Sequence, residues 1–218
     1  VGGFNVAALS EGERQSLATL YRKRDSEGVW NPEGPWFAQV DDLSEGIPTA
    51  LPEGADYVPG TNGAQFSPQG GARMSLRGLE TLATLLLGNG NVGDILMLTP
   101  ESMAELRHTV WHYDPEKENI ENYDGTFNAR ATGLWIISGK TEADRLFDGD
   151  GRVWFGHFGE AYGLLAGVWV DPETGDGVIF ALTGTAFDPE AERDGKSTLY
   201  PIEARILEQL GRILNSQF

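Results

Sequence analysis

Apolar positions recur at helical spacing in three segments of the first half of the chain. They predict helices over residues 10–25, over 75–87 and from Thr99 to about residue 109. A serine or threonine stands at the N-cap position of each segment, and Glu13 follows Ser10 at the spacing of a capping box. Because these side-chain oxygens accept hydrogen bonds from the first N–H groups of a helix, they indicate where each predicted helix begins.

The second half of the chain changes to alternating and β-branched positions, which are typical of strands. We predict strands over four ranges: 131–138, 152–155, 162–170 and 177–183. Turn residues fill 171–177 and predict an antiparallel hairpin between the last two strands. An apolar stripe over 201–215 predicts a closing helix. This order predicts an α+β fold, an antiparallel sheet flanked by helices.

Two segments have no regular period. Residues 29–73 carry six prolines and many glycines, and we interpret them as a long irregular segment that either lines a cleft or covers the core. Residues 113–128 are polar and predict a loop. The chain therefore divides into a part with helices and the long segment, 1–128, and a part with the strands and the last helix, 129–218.

Composition narrows the classes of function. Of the 218 residues 40% are hydrophobic, so a packed core is expected. The formal net charge is −17 and the basic residues are dispersed, so we predict no nucleic-acid partner. No apolar run approaches the ~20 residues of a membrane span, and none is predicted. No leader precedes Val1, and we interpret this start as processed or truncated.

The chain has no cysteine, which excludes disulfides, thiolate metal ligands and a cysteine nucleophile. His108 and His112 are four residues apart near the end of the third predicted helix, so both could point the same way and bind zinc with a third ligand. The glutamate of the zincin pattern is missing, and we favour a solvated helix end. No metal site is predicted.

His157 is the stronger candidate for chemistry. It follows a strand-like run and stands between Gly156 and Gly159, where glycines allow a ligand or another backbone to approach. An imidazole there could contact a substrate carboxylate or move a proton. The chain has no Gly-x-Ser-x-Gly, no Ser-x-x-Lys and no Tyr-x-Asn, so no nucleophile motif accompanies it.

Three stretches, in this order, resemble the C-terminal part of the serine β-lactamase and penicillin-binding-protein superfamily, on the class C β-lactamase and esterase side. They are Phe66-Ser-Pro-Gln-Gly-Gly-Ala-Arg-Met-Ser75, Leu98-Thr-Pro-Glu-Ser-Met103, and Gly156-His-Phe-Gly159 with Tyr162-Gly163 and Val170-Asp-Pro-Glu-Thr-Gly175. The resemblance implies a partial β-lactamase/transpeptidase-like fold and a single segment, 1–218, of a larger domain.

The resemblance also implies roles for the matching residues. His157 would orient the substrate or assist proton transfer, and Gly159 would leave room for the substrate along its strand. The backbone N–H of Glu160 would match one donor of an oxyanion hole. Phe158 and Tyr162 would complete the substrate-binding set. No cofactor is implied.

The missing motifs imply that the chain is inert alone. It would need an N-terminal segment, covalently joined or supplied as a separate chain, to form an acyl-enzyme with a small-molecule acyl substrate. The bond cleaved would be an ester, an amide or a β-lactam, and histidine in place of lysine favours esterase-like members. The alternatives are a non-catalytic binding or interaction module and a degenerate homologue on the same half-fold. A periplasmic or secreted location is favoured over a cytoplasmic one.

Overall fold

The computed structural model describes residues 2–4, 6, 9–40, 43–44, 46, 71–117, 119, 121–185 and 200–216. The helices are α1 (Glu11–Gln15), α2 (Leu76–Leu87), α3 (Pro100–Arg107) and α4 (Pro201–Asn215). The strands are β1 (Gly2–Gly3), β2 (Leu20–Lys23), β3 (Trp36–Val40), β4 (Arg73–Met74), β5 (Asn91–Val92), β6 (Ile95–Leu96), β7 (Thr109–His112), β8 (Ala129–Ala131), β9 (Leu134–Ile137), β10 (Trp154–Ala161), β11 (Leu164–Asp171) and β12 (Asp176–Leu182).

A six-stranded antiparallel sheet forms the centre of the fold. Its strand order is β12-β11-β10-β9-β8-β7, so every strand lies beside its neighbour in the chain. Three two-stranded ribbons, β1 with β4, β2 with β3 and β5 with β6, complete the described strands. The predicted α+β class, with an antiparallel sheet and helices, is confirmed, and so is the hairpin of β11 and β12.

Helices cover both faces of this sheet. On one face, α4 contributes Leu207 to an aromatic core that includes Trp154, Trp169 and Phe180. On the other face, α2 packs Ala83 and Leu86 against Val170. Because successive strand residues point to opposite faces, the neighbours Trp169 and Val170 belong to different cores. In the described part of the chain, no helix has the length and apolar character needed to cross a membrane.

Three helix predictions are confirmed. α2 has Ser75 as its N-cap and Gly88 as its C-cap, and α3 begins with Thr99 as N-cap and Pro100 in its first turn. α4 spans the predicted range. Its predicted buried stripe consists of Ile202, Ile206, Leu210, Ile213 and Leu214. Ile206, Leu210 and Leu214 pack against the core, but Leu207 and Gly211 are more deeply buried and Ile213 is 54% exposed. Gly211 lies against the Phe147 ring, and a Cβ there would be 3.0 Å from it.

The cap of α3 gives a first prediction. Thr99 Oγ1 accepts a hydrogen bond from Ser102 N at 3.2 Å. Thr99→Ala removes this acceptor and is expected to lower the free energy of unfolding by about 1 kcal/mol, measured by urea denaturation. Thr99→Ser keeps the hydroxyl and serves as the control. A Ser variant as unstable as the Ala variant would contradict the capping role.

The first predicted helix is wrong beyond its first turns. The capping box is present, with Ser10 N donating to Glu13 Oε2 at 2.8 Å, but α1 ends at Gln15. Residues 20–23 form β2 and pair with β3, which lies inside the segment interpreted as irregular. The partner strand is distant in sequence, so local periodicity gave no signal for the pairing. Residues 47–70 of the irregular segment lie outside the described residues.

Two predicted strands have different bounds in the structure, and the third predicted helix ends before His108 and His112. The predicted strand 131–138 is a hairpin of β8 and β9, because Gly133 takes a φ of +76° at its turn. The strand predicted over 152–155 continues to Ala161. Its glycines and Glu160 interrupt the alternation of apolar and polar residues, so the predicted strand ended too early. α3 ends at Arg107, so His108 and His112 lie at the two ends of an extended run, about 13 Å apart at 3.3 Å per residue.

Candidate functional site at the outer half of strand β10

Strand β10 changes its surroundings halfway along its length. β11 pairs with it from Phe155 to Ala161, whereas β9 pairs only with the first three residues, up to Gly156. The residues from His157 onward therefore extend beyond the part of β10 that pairs with β9. The four predicted residues 157–160 all lie on this outer half of β10.

The turn after β10 sets the direction of its backbone groups. Tyr162 and Gly163 have φ values of +57° and +81° and form a two-residue loop between Ala161 and Leu164. In such a hairpin the residues flanking the loop exchange both N–H···O bonds, and bonded and non-bonded pairs then alternate. His157 and Gly159 consequently bond to β11. The N–H groups of Phe158 and Glu160 point away from β11, to the edge of β10 that β9 leaves unpaired. An oxyanion donor at Glu160 would require this direction.

The imidazole of His157 is exposed and held by its own strand. Its Nδ1 lies within hydrogen-bonding distance of the Phe158 carbonyl oxygen. A carbonyl oxygen can only accept, so this contact is a hydrogen bond in the tautomer that carries its proton on Nδ1. In the neutral ring Nε2 is then left as the acceptor, which is the state of a proton-accepting imidazole. The ring also lies 6.4 Å from the ring of Trp135 on β9, measured between centroids.

A cavity of 130 Å³ adjoins this half of the strand. Four of its lining residues are the predicted His157, Phe158, Gly159 and Glu160, and the others are Tyr123, Phe127, Trp135 and Glu203. Tyr162 is half-exposed at the hairpin turn and lies outside this lining, so its binding role stays a prediction. No serine, threonine, lysine or cysteine is among the described residues that line the cavity.

The carboxylate of Glu160 is fixed by residues from distant parts of the chain. Tyr200 Oη donates to Glu160 Oε1 at 2.6 Å, and Arg22 Nη2 lies 3.9 Å from the same oxygen. The backbone N–H of Tyr200 in turn donates to Glu203 Oε2 at 3.1 Å at the start of α4. These contacts join β10 to α4 and β2, and no local pattern in the sequence predicted them.

The aromatic residues behind the cavity form a continuous stack. Phe127 and Trp135 have ring centroids 4.4 Å apart and an interplanar angle of 27°, and Phe127 also stacks with Trp169 at 6.3 Å. Tyr123 meets Phe127 edge-on at 5.6 Å. Stacked rings have few rotamers available, so the stack gives the cavity a rigid back wall. Phe127 and Trp135 had no signal in the sequence, since they belong to a polar loop and a strand 20 or more residues away from His157.

The described residues form no cluster of three or more His, Asp or Glu side chains that could hold a metal ion. No known protein-family model matches the chain, and no curated protein matches its sequence significantly. The resemblance to the β-lactamase superfamily therefore depends on the residues of the chain alone.

Proposed function

We propose that this chain is the C-terminal part of a serine hydrolase with a β-lactamase-like fold. In this proposal the outer half of β10 is one wall of an acyl-binding cleft. One observation carries it: His157, Gly159 and the outward N–H of Glu160 lie together on the part of β10 that extends past β9, beside a cavity. Such a strand offers backbone donors, space over glycine and an imidazole to one substrate.

Each residue would have a distinct task. The outward N–H of Glu160 would donate to the oxyanion that develops on the substrate carbonyl. The Nε2 of His157 would accept a proton or orient the leaving group, because Nδ1 is engaged by the Phe158 carbonyl. Gly159 is exposed and has only the Ala166 methyl near its missing Cβ, at 3.9 Å, so a substrate could lie over it.

The nucleophile would come from a segment outside these 218 residues, because Ser-x-x-Lys and Tyr-x-Asn are missing. Two features support such a partner segment. Among the described strands, β12 pairs only with β11, so one edge of the sheet can accept another strand. The side chains of Ile95, Leu96 and Met97 are 64%, 58% and 59% exposed, which is more apolar surface than a lone ribbon usually presents.

The test begins with the gene. A coding sequence next to that of Val1 should encode Ser-x-x-Lys and Tyr-x-Asn. The protein that combines this segment with the present chain is expected to hydrolyse p-nitrophenyl butyrate or a chromogenic cephalosporin. The 218-residue chain alone should hydrolyse neither. Turnover by the chain alone, or no turnover by the combined protein, would contradict the proposal.

The role of His157 is tested in the combined protein. His157→Ala is expected to lower kcat/KM by about 100-fold, because general acid–base catalysis typically contributes at least that factor. His112→Ala is the matched control, since His112 is also exposed on a strand of the same sheet but does not line the cavity. Equal kinetics for the His157 and His112 variants would remove His157 from the site.

One observation favours a second function. The described lining of the cavity contains no nucleophile, although its aromatic back wall and its backbone donors are suited to binding. A non-catalytic binding module on the same half-fold would have this composition. This function is favoured if no nucleophile-bearing segment accompanies the chain and the cavity still binds an acyl compound.

A further inference from the structure

A second cavity lies on the other side of Trp135. Its volume is 460 Å³, and we call it the Arg130 groove. Its walls come from β7, from the β8–β9 hairpin and from one residue of β10, and its main lining side chains are Val110, Trp111, Arg130, Leu134, Trp135 and His157. Apart from Arg130 and His157 the lining is apolar or aromatic, and no acidic residue is among the described residues that line it.

Arg130 lies between two indole rings. Its Cζ is 3.5 Å from the ring centroid of Trp135 and 5.4 Å from that of Trp111. A guanidinium stacked on aromatic rings uses its faces for these contacts and keeps its N–H groups, which point outward in its plane, for hydrogen bonds. The stack therefore holds the cation in place without using its donors.

The donors of Arg130 have no partner within the described part of the chain. Its Nε is buried and makes no hydrogen bond, and its guanidinium makes no ion pair. Arg107 also has a buried Nε without a partner, but its Nη2 donates to the carbonyls of Leu86 and Gly88. Arg152 pairs with Asp150 and Asp176. The protein has 33 acidic residues and only 16 basic ones, yet no acidic residue in the described part of the chain is placed against this cation.

We propose that the Arg130 groove binds a small organic monocarboxylate. The planar fork of a guanidinium matches a carboxylate with two parallel hydrogen bonds, and a partly buried setting strengthens charge-assisted bonds. The apolar part of the ligand would lie on Trp111, Val110 and Leu134, which line the groove around the cation. A ligand with both parts would bond to the guanidinium and cover the apolar walls.

The same features select against more highly charged anions. The groove offers one permanent cation, so a phosphate dianion would leave a negative charge uncompensated. The net charge of −17 adds long-range repulsion that grows with the charge of the ligand. A monocarboxylate with an aromatic or aliphatic body is therefore the class that the groove fits best. This inference stands without the hydrolase proposal, because the groove shares only His157 and Trp135 with the cavity beside β10.

The test uses the full 218-residue chain and benzoate as the probe. Calorimetric titration is expected to show that benzoate binds at least about tenfold more tightly than benzamide, its neutral counterpart. Acetate, which lacks the apolar body, and inorganic phosphate should both bind more weakly than benzoate. Equal binding of benzoate and benzamide, or tighter binding of acetate or phosphate, would overturn the proposal.

Variants locate the binding. Arg130→Gln is expected to weaken benzoate binding about tenfold or more, and Arg130→Lys, which keeps the charge but loses the fork, should weaken it less. Arg205→Gln, on the exposed side of α4, is the matched control and should leave binding unchanged. If an Arg130 variant fails to fold, the site is tested by NMR on the unmodified chain. The signal of Arg130 Nε–H should shift with benzoate and not with benzamide. No shift would overturn the site.

Discussion

Trp169→Ala is expected to lower the free energy of unfolding by about 3–5 kcal/mol, the range for removing a large aromatic side chain from a core. Trp169 lies on β11 and has no exposed surface. Its ring centroid is 4.9 Å from that of Phe158 and 6.3 Å from that of Phe127. Truncation would leave a cavity at the centre of the aromatic core, which the rigid ring stack cannot fill. Urea denaturation followed by circular dichroism measures the loss.

A comparison of two phenylalanine variants separates packing from hydrogen bonding. Trp154 is as buried as Trp169, but its Nε1 donates to Asp150 Oδ2 at 2.6 Å, whereas Trp169 Nε1 has no partner among the described residues. Trp154→Phe breaks a bond to a carboxylate and should therefore be about 1.5 kcal/mol or more costlier than Trp169→Phe. If Trp169→Phe is the more destabilising of the two, the assignment of an unbonded indole at Trp169 is wrong.

Gly163→Ala is expected to lower the free energy of unfolding by about 2–4 kcal/mol, since it combines two costs. Gly163 has a φ of +81°, a conformation that alanine adopts with strain. A Cβ at this position would also lie 2.1 Å from the carbonyl oxygen of Tyr21, so the hairpin and β2 would have to separate. The Gly163 carbonyl accepts bonds from Thr185 N and Oγ1, which would move with it.

Gly175 provides the matched control for this variant. It has the same φ of +81°, but nothing lies within 4 Å of the position of its missing Cβ. Gly175→Ala should therefore show only the conformational cost, about 1–2 kcal/mol. The difference between the two variants measures the contact of the β10–β11 hairpin with β2 at Tyr21. Equal losses would mean that this contact contributes nothing to stability.

The parts of the fold that were predicted correctly are those with local causes. α2 and α3 have N-caps, and α4 has an apolar stripe within its own residues. The hairpin of β11 and β12 has its turn residues in sequence between its strands. The pairing of β2 with β3 depends on a strand that follows a proline-rich stretch. Apolar residues within 17–21 have helical spacing, and this local pattern led to the wrong prediction of a helix there.

The candidate site also has a part that could be predicted from the sequence and a part that could not. Residues 157–160 are consecutive on one strand, so the sequence could place them together without knowledge of the fold. Tyr200 reaches Glu160 across 40 positions, and the register of the sheet places Trp135 near His157 and Arg130 in the same groove. Contacts of this kind arise from tertiary packing and have no periodicity or motif of their own.

The unbroken order of the six-stranded sheet has a consequence for how the molecule can fold. Since every strand from β7 to β12 pairs with its neighbour in the chain, the sheet needs no crossover. The β8–β9, β10–β11 and β11–β12 hairpins have loops of two, two and four residues, whereas 16 residues separate β7 from β8 and β9 from β10. Short loops favour early closure, because closing them costs little chain entropy. We therefore expect these three hairpins to close before α4, the last helix in the chain, packs against the sheet and forms the Tyr200–Glu160 bond.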